Sequence, residues 1–314
     1  MFAYYLDLAI RSFRRNKALT ALMVVSIALG IGAAMTTLTV FHVLSGDPIP
    51  HKSSQLFYVQ MDPAGMNGYV PGEDPESQMT RFDSEALLRE ARGDRQAMMS
   101  AGGLAVRPDK EGLTPFGIET RYTSADFFPM FDVPFLHGGP WTAAEDSGRA
   151  RVAVIAKSLN DQLFGGADST GQTIRMGGAD FRIVGVMDDW RPVPRFYDLT
   201  NQRYGDSEQA FLPFSTSRDL DLGSSGNMNC WDANEDPEGS QGLNAPCTWI
   251  QYWVELDSPE KVEAYRQYLV NYSEQQREAG RFERPTNVRL SDVMTWLDFN
   301  QVVPADVRLQ VWLA

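Results

Sequence analysis

From Ala18 to Leu44 the chain runs through 27 residues without one Asp, Glu, Lys or Arg. Coiled as a helix, that run is roughly 40 Å long, more than the roughly 30 Å hydrocarbon core of a bilayer. A cleaved signal peptide has an apolar region of roughly 7–15 residues followed by a small-residue cleavage site. Here the apolar run continues through Thr36, Thr37, Leu38, Val40, Phe41, Val43 and Leu44, which predicts a retained membrane helix over 18–45. Arg11, Arg14, Arg15 and Lys17 crowd its N-terminal side, at the membrane interface, and Asp47 opens an acidic segment on the other. Cytoplasmic flanks carry the excess of Lys and Arg, so the N-terminus is expected inside and about 270 residues outside. Before the anchor, Phe2, Tyr5, Leu6, Ala9, Ile10 and Phe13 recur at helical spacing, predicting an amphipathic helix over 1–17 that lies against membrane lipid. A plain topology signal explains the same basic residues. Within the anchor, Gly30 and Ala34 stand four apart and form a small-residue face that lets another helix approach. The abundance of Gly and Ala in membrane helices is an equally good explanation.

Beyond the anchor the periods shorten. Gln55 to Gln60 reads as a strand, 61–79 as a Gly-, Pro- and Asp-rich loop, and Phe82 to Arg92 as a short helix capped by Asp83 or Ser84. Gly103 to Arg107 and Phe116 to Tyr122 read as strands, followed by a helix capped by Ser124 with Phe127 and Phe128 aimed inward. The most regular stretch is Val152 to Met187. A strand VAVI leads into a helix Lys157 to Phe164 stopped by Gly165 and Gly166, and then two strands join at a Gly177-Gly178 hairpin turn. After Phe211-Leu212-Pro213 the chain is loop-rich until a strand Gln251 to Leu256 and a long helix from Pro259 to Ala279. The stretch 304–314 is apolar on several faces.

Charge narrows the function. The arm and anchor hold four basic residues and one acidic, which leaves 24 of the 28 basic and 40 of the 41 acidic residues outside, a net charge of −16. Such a field repels a phosphate backbone, so no nucleic acid is expected as a partner. Cys230 and Cys247 are the two cysteines, and in an oxidising compartment an even pair in a loop-rich stretch is a disulfide candidate; two buried free thiols are the alternative.

Motifs for chemistry are few. Gly166 to Thr173 has the glycine spacing of a phosphate-binding loop, but Gln172 stands where the phosphate-clamping Lys belongs and a strand follows. Asp232, Asn234 and Asp236 imitate the start of a calcium loop, with Pro237 at the glycine position and Leu243 at the bidentate Glu position, so a turn-rich loop is the better reading. His42, His51 and His137 lie far apart, without zinc-ligand spacing. No catalytic, cofactor or metal residues are expected, and the substrate-binding residues are not legible.

Several segments in order resemble the MacB/FtsX-type ABC transporter permeases. They are the RSFRRNK stretch running into the first membrane helix, the exit GDPIPHKSSQLFYV (Gly46 to Val59), RYTSADFFPMFDVPFLHGGPW (Arg121 to Trp141) and VAVIAKSLNDQLFGGADSTGQTIRMGGADFRIVGVM (Val152 to Met187). The resemblance implies an α+β periplasmic domain of two subdomains, mixed sheets with short helices, over 46–303, the second subdomain roughly 215–285. It also implies an inner-membrane permease subunit acting as exporter or mechanotransmitter, not itself an enzyme, with a cytoplasmic ABC ATPase subunit and a second permease copy as partners. No cofactor is implied. The family has three more membrane helices after this domain, whereas this chain stops at Ala314 with VRLQVWLA resembling the start of a second one over 304–314, which implies a C-terminal truncation. A single-pass receptor or sensor with a ligand-binding periplasmic domain is the competing reading.

Overall fold

Residues 17–109, 112, 114–201 and 203–303 are described by a computed structural model. The amphipathic helix expected over 1–17, with Arg11, Arg14 and Arg15, and the second membrane helix expected from 304 lie outside the described residues, apart from Lys17. The chain divides into two units, one of 1–46 with 301–314 and one of Asp47–Asn300.

In the first unit, α1 (Lys17–Ser45) is a single helix of 29 residues. Among the described residues it is the one helix long and apolar enough to cross a membrane. Leu22, Ile27, Leu29 and Ile31 are all more than half exposed, so its apolar surface faces outward all round. A helix of that kind needs lipid or another protein around it. Ser26, Thr36, Thr37 and Thr39 donate their hydroxyls to the carbonyl four residues back, at 2.8–3.0 Å, which satisfies them without water.

The second unit is built on one 13-stranded mixed sheet. Its strands are β1 (Leu56–Met61), β2 (Met79–Thr80), β3 (Arg95–Val106), β4 (Phe116–Thr123), β5 (Phe135–Gly138), β6 (Val152–Ala156), β7 (Thr173–Met176), β8 (Ala179–Met187), β9 (Ala210–Pro213), β10 (Ser224–Ser225), β11 (Asn229–Cys230), β12 (Cys247–Glu255) and β13 (Val288–Asp292). Along the main path they run β13-β1-β12-β3-β4-β9-β6-β8-β5. Neighbours are antiparallel except β4 with β9 and β6 with β8. The segment 215–285 supplies β10 to β12, and β12 lies between β1 and β3, which both come from before that segment, while β13 from after it pairs with β1. Every residue of β12 is buried, as a central strand covered on both faces must be. Tyr252 and Val254 face a core closed by the helices α2 (Arg81–Glu90) and α7 (Pro259–Glu278) through Leu87, Tyr265 and Leu269. Trp253 faces the opposite side, where Phe131 and Phe196 meet its ring edge-to-face at 5.7 and 5.8 Å. Tyr58 stacks on Trp296 there, at 3.8 Å.

The remaining helices are short: α3 (Phe127–Met130), α4 (Ala143–Ser147), α5 (Lys157–Phe164), α6 (Phe214–Asp219) and α8 (Val293–Phe299). The expected helix at 82–92 starts one residue earlier, and its cap is Thr80, whose hydroxyl accepts the Asp83 amide at 3.1 Å. Asp83 and Ser84 are instead buried inside the helix, with the Ser84 hydroxyl returning to the Thr80 carbonyl. Ser124 likewise caps nothing with its side chain; the hydroxyl accepts the Met98 amide at 3.3 Å. Phe127 and Phe128 are fully buried, as expected. Gly177 and Gly178 both take positive φ, 55° and 85°, in the two-residue turn joining β7 to β8, a geometry that suits glycine.

Candidate functional site

The described part of the domain contains a cleft of about 620 Å³. One wall is α2 and the start of β3, which present Arg81, Glu85, Leu88 and Met98; the other is α4 and α6. Arg81 is held by Glu85 and by Glu238 from the 231–246 connection, both at 2.7 Å. Arg95 donates to both Glu255 oxygens at 2.9 Å, Asp94 pairs with Lys261, and Arg149 reaches Asp219 at 3.1 Å. Arg218 is held differently, by the neutral acceptors Gln241 Oε1 (2.6 Å), Ser217 Oγ (3.3 Å) and the Leu222 carbonyl. It also lies over the rings of Trp249 and Phe214, at 5.4 and 5.8 Å. Burial, with Arg81 nearby, lowers its pKa from the usual arginine value.

Asp146 is the joint of the second wall. Its Oδ2 accepts the Ala125 amide and its Oδ1 the Trp141 indole N–H, both at 2.6 Å, and its own carbonyl accepts the Ser215 hydroxyl. The local fold follows from the sequence Thr-Ala-Ala-Glu-Asp. Thr142 and Glu145 form a reciprocal capping box that starts α4 and turns Asp146 into the cleft. Burial pushes the Asp146 carboxyl up to about 6, against the pull of its two donors and with help from Asp126 and Glu145. A carboxyl raised in the folded state binds more protons there than in the unfolded chain, so stability is greatest at low pH and declines as pH rises from about 4 through about 6. The Asp146→Asn variant is therefore expected to lose about 2 kcal/mol of that decline, read as the difference in denaturation midpoints at pH 4.5 and 7.5. An identical pH profile in variant and wild type would refute the assignment.

A second polar cluster is wholly internal. Arg121 Nε donates to Glu208 Oε1 and Nη2 to Asp198 Oδ2, each at 2.7 Å. Arg195 Nη2 meets the same Glu208 oxygen at 2.5 Å, and Tyr197 donates to Oε2 at 2.9 Å. Asp198 also accepts from Thr200 and Asn201, at 2.8 and 2.6 Å. All four charged side chains are 0–2% exposed. Burial alone would raise the Asp198 carboxyl, yet Arg121 and the surrounding donors hold it below the usual value. The cluster clamps the 188–209 connection onto β4 through Arg121. No ligand can reach it, and its role is architectural.

The residues singled out in sequence are scattered. Cys230 and Cys247 are directly opposed on β11 and β12 and joined as a disulfide. Lys17 opens α1 with its side chain exposed. A side chain at Gly30 would meet no atom within 4 Å, and Ala34 on the same helix is exposed. Asp236 accepts the Glu238 and Asn244 amides, so both its oxygens serve the turn. In the phosphate-loop imitation, Asp168 accepts the Thr170 amide in a turn before β7. Among the described residues no three His, Cys, Asp or Glu side chains converge as metal ligands. The cleft was not anticipated; the Thr-x-x-Glu box was its one readable trace.

Residues 20–272 match the family described as MacB-like periplasmic core domain. Among curated proteins, the macrolide export ATP-binding/permease protein MacB of Salmonella paratyphi A is 24% identical over 230 residues, 70% of this chain and 32% of that protein. The protein of that name from Syntrophobacter fumaroxidans is 24% identical over 190 residues, 58% of this chain and 26% of that one. The chain thus spans about a third of the length of the curated relatives it matches. A solved domain of a permease protein from Porphyromonas gingivalis aligns with TM-score 0.50 at 15% identity, over 78% of this chain and 91% of that domain, and shares the fold.

Proposed function

Because this chain belongs to the family of MacB-like periplasmic core domains, we propose that it is the permease subunit, or the N-terminal part of one, of an ABC transporter in a bacterial inner membrane. On this reading α1 anchors it with the N-terminus in the cytoplasm and residues 47–300 in the periplasm. ATP is hydrolysed by a partner ATPase, with a second permease copy alongside, and the periplasmic domain carries the resulting motion to the exported molecule. The observation that carries the proposal is one family match running from within the apolar helix to residue 272. The basic flank of Arg11, Arg14, Arg15 and Lys17 supports the orientation. The cleft between α2 and the α4–α6 wall supports a substrate-contacting role, since its volume is that of a small-molecule site. The division into two subdomains, the second around 215–285, belongs to the same proposal.

The proposal predicts the outcome of one paired labelling experiment. A cysteine at exposed Gly68 should react with a membrane-impermeant maleimide in intact spheroplasts. A photo-crosslinking residue at Phe13 should capture a protein whose peptides contain a P-loop. Protection of position 68 would overturn the orientation, and capture of no P-loop protein would overturn the ATPase partnership.

A further inference from the structure

Asn67-Gly68 is the one asparagine–glycine pair among the 314 residues. It fills the two central positions of a turn closed by the Tyr69 amide on the Met66 carbonyl at 3.2 Å. Gly68 takes a positive φ of 72°, which the third position of such a turn reserves for glycine. Both residues are exposed, and no atom stands within 4 Å of the place that a Cβ on Gly68 would fill. Among the described residues no hydrogen bond holds the Asn67 side chain or the Gly68 amide. Other asparagines are occupied: Asn160, Asn201, Asn229 and Asn287 donate their side-chain amides to acceptors at 2.6–3.0 Å. The surroundings of the turn are fixed. The Met66 amide donates to Glu283 at 2.8 Å. Arg284 donates to the Gly65 carbonyl at 2.8 Å, to Asp62 at 3.1 Å and, through Nη2, to the Asn67 carbonyl at 3.4 Å.

The geometry points to Asn67-Gly68 as a site of covalent modification: spontaneous deamidation to isoaspartate, steered by Arg284. The nucleophile is the Gly68 amide nitrogen, which loses its proton to hydroxide as it bonds to Asn67 Cγ. The Cγ–Nδ2 bond then breaks, ammonia leaves with a proton taken from water, and a five-membered succinimide closes over the two residues. A Cβ on residue 68 would crowd that ring, and glycine leaves it open. Water reopens the ring at one of two carbonyls. Opening at Cγ gives aspartate. Opening at the main-chain carbonyl gives isoaspartate, in which the chain runs through Cγ and the former carbonyl becomes a free carboxylate. That main-chain carbonyl oxygen is the one that Arg284 Nη2 approaches. A cation there stabilises the oxyanion formed as water attacks, which directs opening to that side, and it then pairs with the new carboxylate. The product adds one negative charge and one main-chain carbon to a loop that presents exposed Met66 and Val70.

The test follows the full chain in phosphatidylcholine nanodiscs through days in warm, mildly alkaline buffer. Trypsin releases 53–81 as one peptide, in which Asn67 is the one asparagine. That peptide is expected to gain about 1 Da, at a rate that rises with pH because the amide must lose its proton. It should also accept a methyl group from S-adenosylmethionine through an isoaspartyl methyltransferase, which reads the isoaspartate directly. Peptides that carry the other asparagines should stay unchanged over the same time. Asn67→Gln, whose longer side chain cannot close the five-membered ring, should abolish both signals. Protein unfolded in urea gives the comparison for Arg284, and isoaspartate should make up a larger share of the product in the folded chain. A peptide 53–81 that stays unmodified in the folded chain while it deamidates in urea overturns the site. Equal isoaspartate shares in the two states overturn the steering by Arg284.

Discussion

Arg121→Met is expected to lower the melting temperature of the chain by about 10 °C, the largest effect of any single side chain discussed above. Arg121 bridges Asp198 and Glu208, both inaccessible to solvent, and lies over the Tyr197 ring at 5.1 Å. Its removal leaves buried Asp198 without a cation and Glu208 with Arg195 alone. Breaking a buried pair from one side costs about 3–5 kcal/mol, mostly from the charge left without a partner. In a domain of this size that converts to about 2–4 °C per kcal/mol. The mechanism makes a second, sharper prediction. Adding Asp198→Asn to Arg121→Met removes the stranded charge while keeping an acceptor near Thr200 and Asn201, so the double variant should be more stable than the single one. A double variant less stable than Arg121→Met would show that geometry, not charge balance, sets the cost. A melting temperature unchanged in the single variant would remove the cluster from the account of how the 188–209 connection is held.

What was legible in the sequence was local. Gly165 stops α5 because it takes a positive φ of 66° there, and Gly177-Gly178 makes a hairpin for the same backbone reason. Pro259 behind Ser258 starts α7, with the serine hydroxyl accepting the Lys261 amide. Strand β3 was found only from Gly103 onward, although it begins at Arg95: RQAMMSAGG is buried almost throughout and shows no alternation. Strand β13 and helix α8 have 5 and 7 residues and went unread, since both depend on Tyr58 and its neighbours for a surface to pack on. Thr80 outcompeted Asp83 as a cap because burial drew Asp83 inward to Tyr272 and Arg281. The two polar sites were hidden for a different reason. Arg121 meets partners 77 and 87 residues away, and Asp146 reaches Ala125 and Ser215, separations that no periodicity encodes. The net charge of the external part could not show which few carboxylates lack a cation.

Replacing both cysteines by alanine is expected to cost about 3 kcal/mol and to loosen one wall of the cleft. Cys230 and Cys247 are 17 positions apart, and closing a loop of that size removes about that much chain entropy from the unfolded state. In the oxidising compartment that the proposed orientation implies, the bond would persist. Its local consequence follows from what the closed loop carries. Glu238 and the Gln241 carbonyl hold Arg81, and the Gln241 side chain holds Arg218. Gln241 also donates to Ser224 at 2.6 Å, whereas just before the loop the tie from Asn229 to Glu76 at 2.9 Å is exposed and weak. Without the covalent tie, Cys230 and its two-residue strand have little to keep them on β12. Hydrogen exchange should therefore speed up across 226–246 and at the Arg81 end of α2 before it does in β1, whose ladder partners are untouched. The melting temperature should fall by about 6–10 °C, and reduction of the wild-type protein should reproduce the same local pattern. Uniform loss of protection would mean that the bridge stabilises the whole sheet and does not position the cleft wall. No change in either measurement would mean that the loop is held by Arg81 and Arg218 alone.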